Sequence, residues 1–446
     1  MIHRYLLLLI PFLLFAESMQ ISPIPLPTTY IQVIDIDEEC DNDCLQAYLD
    51  EGQIFTFLAI ADSKLECMEL EDERMIYVNL LNVGSSEIIK EELKIAMILP
   101  YKRIGRYAYS TSNAVFAYLL TRNHPFVLKN FQIEDESPEV MLDVVEQIKE
   151  EGFHYVIAPL TKQGAQNLIE SEDELNIFFP TINKNELNTT AENVYFGAID
   201  YKEQIKRLTP YATSPLVVMY DKSAKGKTLY AETKEVYMDE NSSFAISRRK
   251  AIYKELELDY RTSLEPTKKK VIAYGIDRKT TNFKWYLNEN KKIQFGSFFL
   301  NTPVIKTTMI LSQLTTYDTN TTNVLSTQIN YDPLMFSMTQ KKDRDNMYIA
   351  NSININNNTL IEANSLLTND IVYDWINYAS SIGADYFYHA ITHTERTYKL
   401  PVVDNQVLYP ISIVKPSGTR FEVIEQGVLP KFDENATSEL PTAEAI

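Results

Sequence analysis

Glycine is scarce, with 12 in 446 residues. Phosphate-cradling loops rely on glycine, whose missing side chain lets backbone N–H groups close around an anion, so nucleotide-dependent enzymes have little material here. Basic charge is short too: 42 Lys and Arg face 61 Asp and Glu, a formal net charge of -19. No broad basic surface is on offer, which argues against nucleic-acid binding. The five histidines form no catalytic set, and there is no GxSxG motif, Walker loop or Cys–His pairing. His389 and His393 are four apart but lack the acid of a zinc hydrolase motif between them, and read as structural residues beside Tyr386, Phe387 and Tyr388. These absences point away from an enzyme, and no cofactor or metal site is expected.

Long apolar runs are also missing after the N-terminus, where none reaches the ~18 residues a spanning helix needs. At the N-terminus, Met1 to Arg4 is basic and Leu6 to Ala16 is almost unbroken apolar chain. That run is too short to span a bilayer comfortably, and Ala16 and Ser18 place small residues at the -3 and -1 positions of a cleavage site. The pattern predicts a signal peptide over residues 1–18, export to the periplasm and no membrane insertion after cleavage. The competing reading is an uncleaved anchor helix.

The three cysteines, Cys40, Cys44 and Cys67, lie in the first sixth of the chain. In an oxidising compartment two would pair, and three pairings are open. Cys40 and Cys44 at i,i+4 on a helical turn have Cα atoms about 6 Å apart, within disulfide range. A zinc site is the alternative, but no histidine lies nearby.

Residues 19–90 read as an N-terminal appendage, helical from about residue 38, with Leu45, Tyr48, Leu49 and then Ile54, Phe57, Leu58 at helical spacing. From residue 93 short apolar runs alternate with amphipathic helices: a strand over Lys94 to Pro100, a helix through Ala114 and Leu119, a strand over Phe126 to Phe131, and a helix opened by Ser137-Pro138-Glu139. Alternation at this period means βαβ units and parallel sheets. It restarts after Pro210 with strands at 216–220, 270–274 and 295–300 and a helix around 306–314. Residues 318–358 are rich in Thr and Asn with weaker order signals, 360–382 read as helix, and 406–424 as a hairpin turning at Pro416-Ser417-Gly418. The acidic stretch 425–446 is expected to be disordered. The fold class is therefore α/β, two-lobed, with lobe 1 expected over about 93–212 and 332–404 and lobe 2 over about 213–331 and 405–424.

Five segments in order carry a resemblance: IAMILPYKRIG (95–105), YVIAPLTKQGAQNL (155–168), FFPTINKNEL (178–187), VYFGAIDYKEQ (194–204) and SIGADYFYHAI (381–391). Together they resemble the type I periplasmic-binding-protein family, over about three quarters of the chain. The segments 295–300 and 381–391 are also similar to the C-terminal part of the activators of penicillin-binding proteins. The resemblance implies two lobes closing on a small ligand such as an amino acid, without catalysis. Its second form implies an interaction module that regulates a cell-envelope protein and holds no ligand. Carried over by position, the ligand-binding candidates are Tyr101, Thr161, Lys162, Thr181 and Asn183. Hydroxyls and amides after strand ends would bind a ligand's carboxylate or amide, and Lys162 would add charge-assisted bonds to an anion.

Five Asn-x-Ser/Thr sequons occur, at Asn188, Asn241, Asn320, Asn357 and Asn435, and all but Asn357 have an acid two residues earlier. This resembles the extended acceptor of bacterial oligosaccharyltransferases. An acceptor must bend into the enzyme's active site, so mobile context ranks Asn435 first, then Asn241, Asn320 and Asn188.

Overall fold

The computed structural model describes residues 40–61, 64–81, 83, 92–122, 124–171, 174–187, 189–239, 269–355 and 357–430. The expected signal peptide, the stretch 19–39, Asn188, Asn241, Asn435 and the tail beyond 430 lie outside the described residues. Among the described residues no helix is long and apolar enough to cross a membrane.

The appendage is three helices, α1 (Asn42–Asp50), α2 (Ile54–Ile60) and α3 (Met68–Leu80). They close on Leu45, Phe57, Leu58, Ala61 and Leu70, which are nearly free of solvent. Asp41 caps α1 by accepting the Cys44 backbone N–H at 3.0 Å. Cys40 and Cys44 are disulfide-bonded with Cα atoms 5.4 Å apart, and Cys67 is a free thiol packed at the edge of the cluster.

The first sheet opens with β1 (Leu93–Leu99), β2 (Phe126–Gln132), β3 (Tyr155–Ile157), β4 (Asn176–Phe179) and β5 (Val194–Phe196), all parallel in the order 5-4-3-1-2. β1 lies between β3 and the edge strand β2 and is apolar on both faces, because alternate side chains point to opposite sides and helices cover each. Leu93, Ile95, Met97 and Leu99 meet α5 (Arg106–Leu120), which follows the short helix α4 (Tyr101–Ile104), and the long helix Trp375–Thr392. Ala96 and Ile98 meet α6 (Pro138–Glu150) and α7 (Lys162–Ser171).

The second sheet holds β6 (Leu216–Asp221), β7 (Val271–Ile276), β8 (Gly296–Asn301), β9 (Thr321–Ser326) and β10 (Met347–Asn351), parallel in the order 10-9-8-6-7. Between the sheets run α8 (Tyr201–Leu208) and then, after β6, α9 (Ala224–Asp239). The chain returns to the first sheet for the short pair β11 (Val402–Val403) and β12 (Gln406–Val407), then crosses again to add the antiparallel strands β13 (Ile411–Ser417) and β14 (Arg420–Val428).

Several sequence expectations shift. Residues 347–351 belong to the second sheet and 406–407 to the first, so the crossings fall after 351 and after 407 rather than near 331 and 404. Helix α8 packs into the second half, where Ile205, Leu208 and Tyr211 join Val218, Phe299 and Ile413. The Thr- and Asn-rich stretch hides two buried strands, because its amides bond to backbone: Asn323 Nδ2 donates to the Tyr211 carbonyl at 2.5 Å. The helix expected over 360–382 is two, Asn358–Leu366 and Trp375–Thr392, broken where Thr368 takes a positive φ and Asp374 caps the second. Residues 425–428, expected in the disordered tail, are the end of β14, and Glu425 accepts from Arg207 at 2.9 Å and from the Tyr211 hydroxyl at 2.5 Å.

Candidate functional site at the seam of the two halves

In open parallel sheets the carboxyl ends of the strands are where ligands gather. Here the segments that follow those ends meet across the seam. Ile329 and Tyr331, after β9, pack on the first half's core, and the Tyr331 ring lies 5.2 Å from that of Tyr373. Tyr201, at the start of α8, stands edge-on to Trp375 at 6.3 Å. Arg106, at the start of α5, is held above its ordinary pKa by the Tyr107 hydroxyl first, and then by the Asp374 and Asp332 carboxylates. Asp332 comes from the second half, Asp374 from the first.

On the first half, Thr161 and Lys162 open α7 after β3, and Thr181 and Asn183 follow β4. Thr161 faces a recess of about 460 Å³ with Arg103, Asp135 and Glu136. Its backbone N–H donates to Glu136 Oε1 at 2.9 Å and its hydroxyl donates to Glu136 Oε2. Thr181 Oγ1 donates to the Leu160 carbonyl at 2.7 Å. Asn183 is buried. It donates to the Ala198 carbonyl at 3.3 Å and accepts from the Asn185 N–H at 3.0 Å. It lines a different recess, about 230 Å³, beside the chain crossings with Asp200, Ser352 and Tyr409. Tyr101 begins α4 and packs on the core, while Lys162 is exposed. The structure thus brings Thr161 and Lys162 together, holds Thr181 by a backbone bond, and turns Asn183 toward the crossings. His389 and His393 end the long helix: His393 is its left-handed cap, and the His389 ring bonds the Thr394 carbonyl.

The second half supplies groups that the sequence reading passed over. Lys225, at the start of α9, stands with Nζ 4.2 Å from the Tyr201 ring centroid, a cation–π distance. Glu232, two turns further along the same face of α9, is half-buried. Burial pushes its carboxyl pKa up, opposed by Lys225 and Lys202 and reinforced by Asp200 and by Glu186 of the first half. Its Oε2 has no hydrogen-bond partner among the described residues. Beneath it runs a buried polar shelf at the ends of β8 and β9. Asn301 donates to Thr233 Oγ1 at 3.1 Å, and Asn330 Nδ2 to Ser326 Oγ at 2.7 Å, while Asn301 Oδ1 and Thr327 Oγ1 have no partners among the described residues. The signal was present in FFLNT and VLSTQ, where polar residues end apolar strands, and it takes the same strand-end rule applied to the second half.

No family model matches the sequence, and no curated protein matches it. Solved structures do. The substrate-binding protein LivJ of a branched-chain amino acid transporter from Streptococcus pneumoniae, solved with isoleucine, superposes at a TM-score of 0.52 with 10% identity, covering 76% of this chain and 100% of its own. A putative branched-chain amino acid ABC transporter protein from Rhodospirillum rubrum gives 0.53 at 9% identity, covering 75% and 100%. An amino acid ABC transporter substrate-binding protein from Pseudomonas fluorescens gives 0.52 at 11%, covering 78% and 99%. The fold is the type I periplasmic-binding fold, two α/β halves each on its own sheet.

Proposed function

We propose that this chain is an exported, non-enzymatic binding protein that holds a small polar ligand between its two halves. The fold supports this reading, since the solved proteins that share it are substrate-binding proteins of transporters. The observation that carries it is the half-buried Glu232 carboxylate, with one oxygen unpartnered among the described residues, set near Lys225, whose ammonium lies over the Tyr201 ring at the seam. A carboxylate desolvated in this way, next to a cation and an aromatic face, is arranged for a ligand that donates hydrogen bonds. Such a ligand would bridge the halves and draw them together about the three crossings.

The test is a calorimetric and thermal-shift screen of the full chain against amino acids, amines, amides and peptidoglycan fragments. A saturable rise in Tm is expected. Glu232→Gln and Lys225→Ala are each expected to weaken that ligand at least about tenfold, the loss of one charge-assisted hydrogen bond. No binder in the screen, together with a cell-envelope protein captured by crosslinking, would favour the ligand-free interaction module instead.

A further inference from the structure

The first-half recess contains a site that is already filled. Thr161 presents a backbone N–H and a hydroxyl at the N-terminal end of α7, where unpaired N–H groups and the helix dipole favour a negative charge. Both donors go to one carboxylate, that of Glu136, which is 6% exposed and 25 residues away in sequence. The Glu136 backbone is fastened as well: its carbonyl accepts from Asn167 Nδ2 at 2.6 Å. Gly164, one turn into the helix, makes the room. A Cβ there would stand 2.6 Å from Glu136 Cδ and 2.8 Å from its Oε1.

We propose that Glu136 is a specificity-determining residue: its carboxylate occupies the carboxylate seat formed by Thr161 and Gly164, and so bars ligands that would anchor there through a free carboxylate. This rests on the reading that the seam holds a ligand and deepens it. A free amino acid bound through its carboxylate at this seat is excluded. The remaining class is ligands that meet the half-buried Glu232 carboxylate through hydrogen-bond donors, such as amines, amides or hydroxyl-rich sugars. Two features separate this from an ordinary helix cap. The carboxylate receives both Thr161 donors in the manner of a bound acid, and the helix carries a glycine where a Cβ would collide with it.

The experiment is chemical rescue of the full chain. Glu136→Ala empties the seat, and its Tm is expected to fall by several degrees. Formate or acetate at about 50 mM is then expected to restore about 3 °C in a saturable way, as mass action predicts for a millimolar site. Chloride or sulfate at equal ionic strength should not, and neither acid should move the native chain. A rescue no larger than that by chloride, or an equal shift in the native chain, overturns the proposal. Glu136→Gln serves as the second variant: it keeps the shape and loses the charge, so it should lose stability and gain no acetate response. A Gln variant as stable as the native chain overturns the proposal even if Glu136→Ala does not fold. Rescue is read without any native ligand, so an empty ligand screen leaves this result standing, and a failed rescue leaves the binding at Glu232 to its own test.

Discussion

Asp385 has no exposure to solvent, yet it is an acid in the middle of an apolar helix. Four donors surround it: the Tyr118 hydroxyl at 2.8 Å, the Thr397 N–H at 2.7 Å, the Tyr398 N–H at 3.3 Å and Arg396 Nε at 3.2 Å. The residue pins the loop after the long helix to α5. Removing one member of such a set strands the others, so Asp385→Asn is expected to cost about 3 kcal/mol in denaturant unfolding. A loss under about 1 kcal/mol would show that the loop repacks freely. Side chains also sort the sequons. Asn357 caps the helix Asn358–Leu366 by accepting the Leu360 N–H at 3.1 Å, and Asn320 is exposed, but its partner residue Thr322 donates its hydroxyl to the Phe295 carbonyl within β9. Neither context bends easily into a transferase. In a glycosylating host, intact mass is expected to drop with Asn435→Gln and to stay unchanged with Asn357→Gln or Asn320→Gln. An unmodified native mass would end the idea.

Among the elements, α3 has a clasp that titrates. Glu71 takes a side-chain bond from Arg74 and a backbone bond from Leu65, which lower its pKa from 4.5 to about 2. A carboxyl whose folded pKa is depressed stabilises the fold above its unfolded value and loses that contribution as pH falls through its folded one. The appendage is therefore expected to loosen between pH 4.5 and about 2, seen as a shift of the Leu65 amide resonance, and to do so less in Glu71→Gln. β14 gives the other test at this scale. Glu425 holds Arg207 and Tyr211 of the second half, so Glu425→Ala is expected to cost about 2 kcal/mol, as charged hydrogen bonds do. Truncation after residue 424, where the composition suggested a disordered tail, is expected to cost more. The composition misled because β14 is an edge strand whose exposed face, with Glu422 and Gln426, reads like a polar tail. The α/β alternation was legible from residue 93 onward because apolar runs and helical periodicity are local properties. The break at 367–374 was not, because Thr368 and Asp374 carry no unusual composition and only the packing against α5 demands the turn.

At the scale of the whole molecule, the two halves are joined by three crossings, and a buried amide network in the second half lies beside two of them. Gln204 Oε1 accepts the Gln328 N–H at 2.9 Å, Gln204 Nε2 donates to Ser352 Oγ at 2.7 Å, and Gln328 Oε1 accepts the Ser352 N–H at 2.7 Å. It ties α8 to the ends of β9 and β10 next to two of the crossings. Gln204→Ala leaves buried groups unpaired, and is expected to cost about 2 kcal/mol in denaturant unfolding; a loss under about 0.5 kcal/mol would show that the network repacks. From the residues alone came the α/β class, the parallel sheets, the helical appendage and the Cys40–Cys44 pair, all set by spacings of a few residues. Tertiary structure alone decided that β10 and β12 change sheets, that Lys225 lies over the Tyr201 ring, and that Glu136 fills the seat at Thr161. Those contacts join residues tens of positions apart, and no local periodicity records which distant side chain the folded backbone will bring to a helix end.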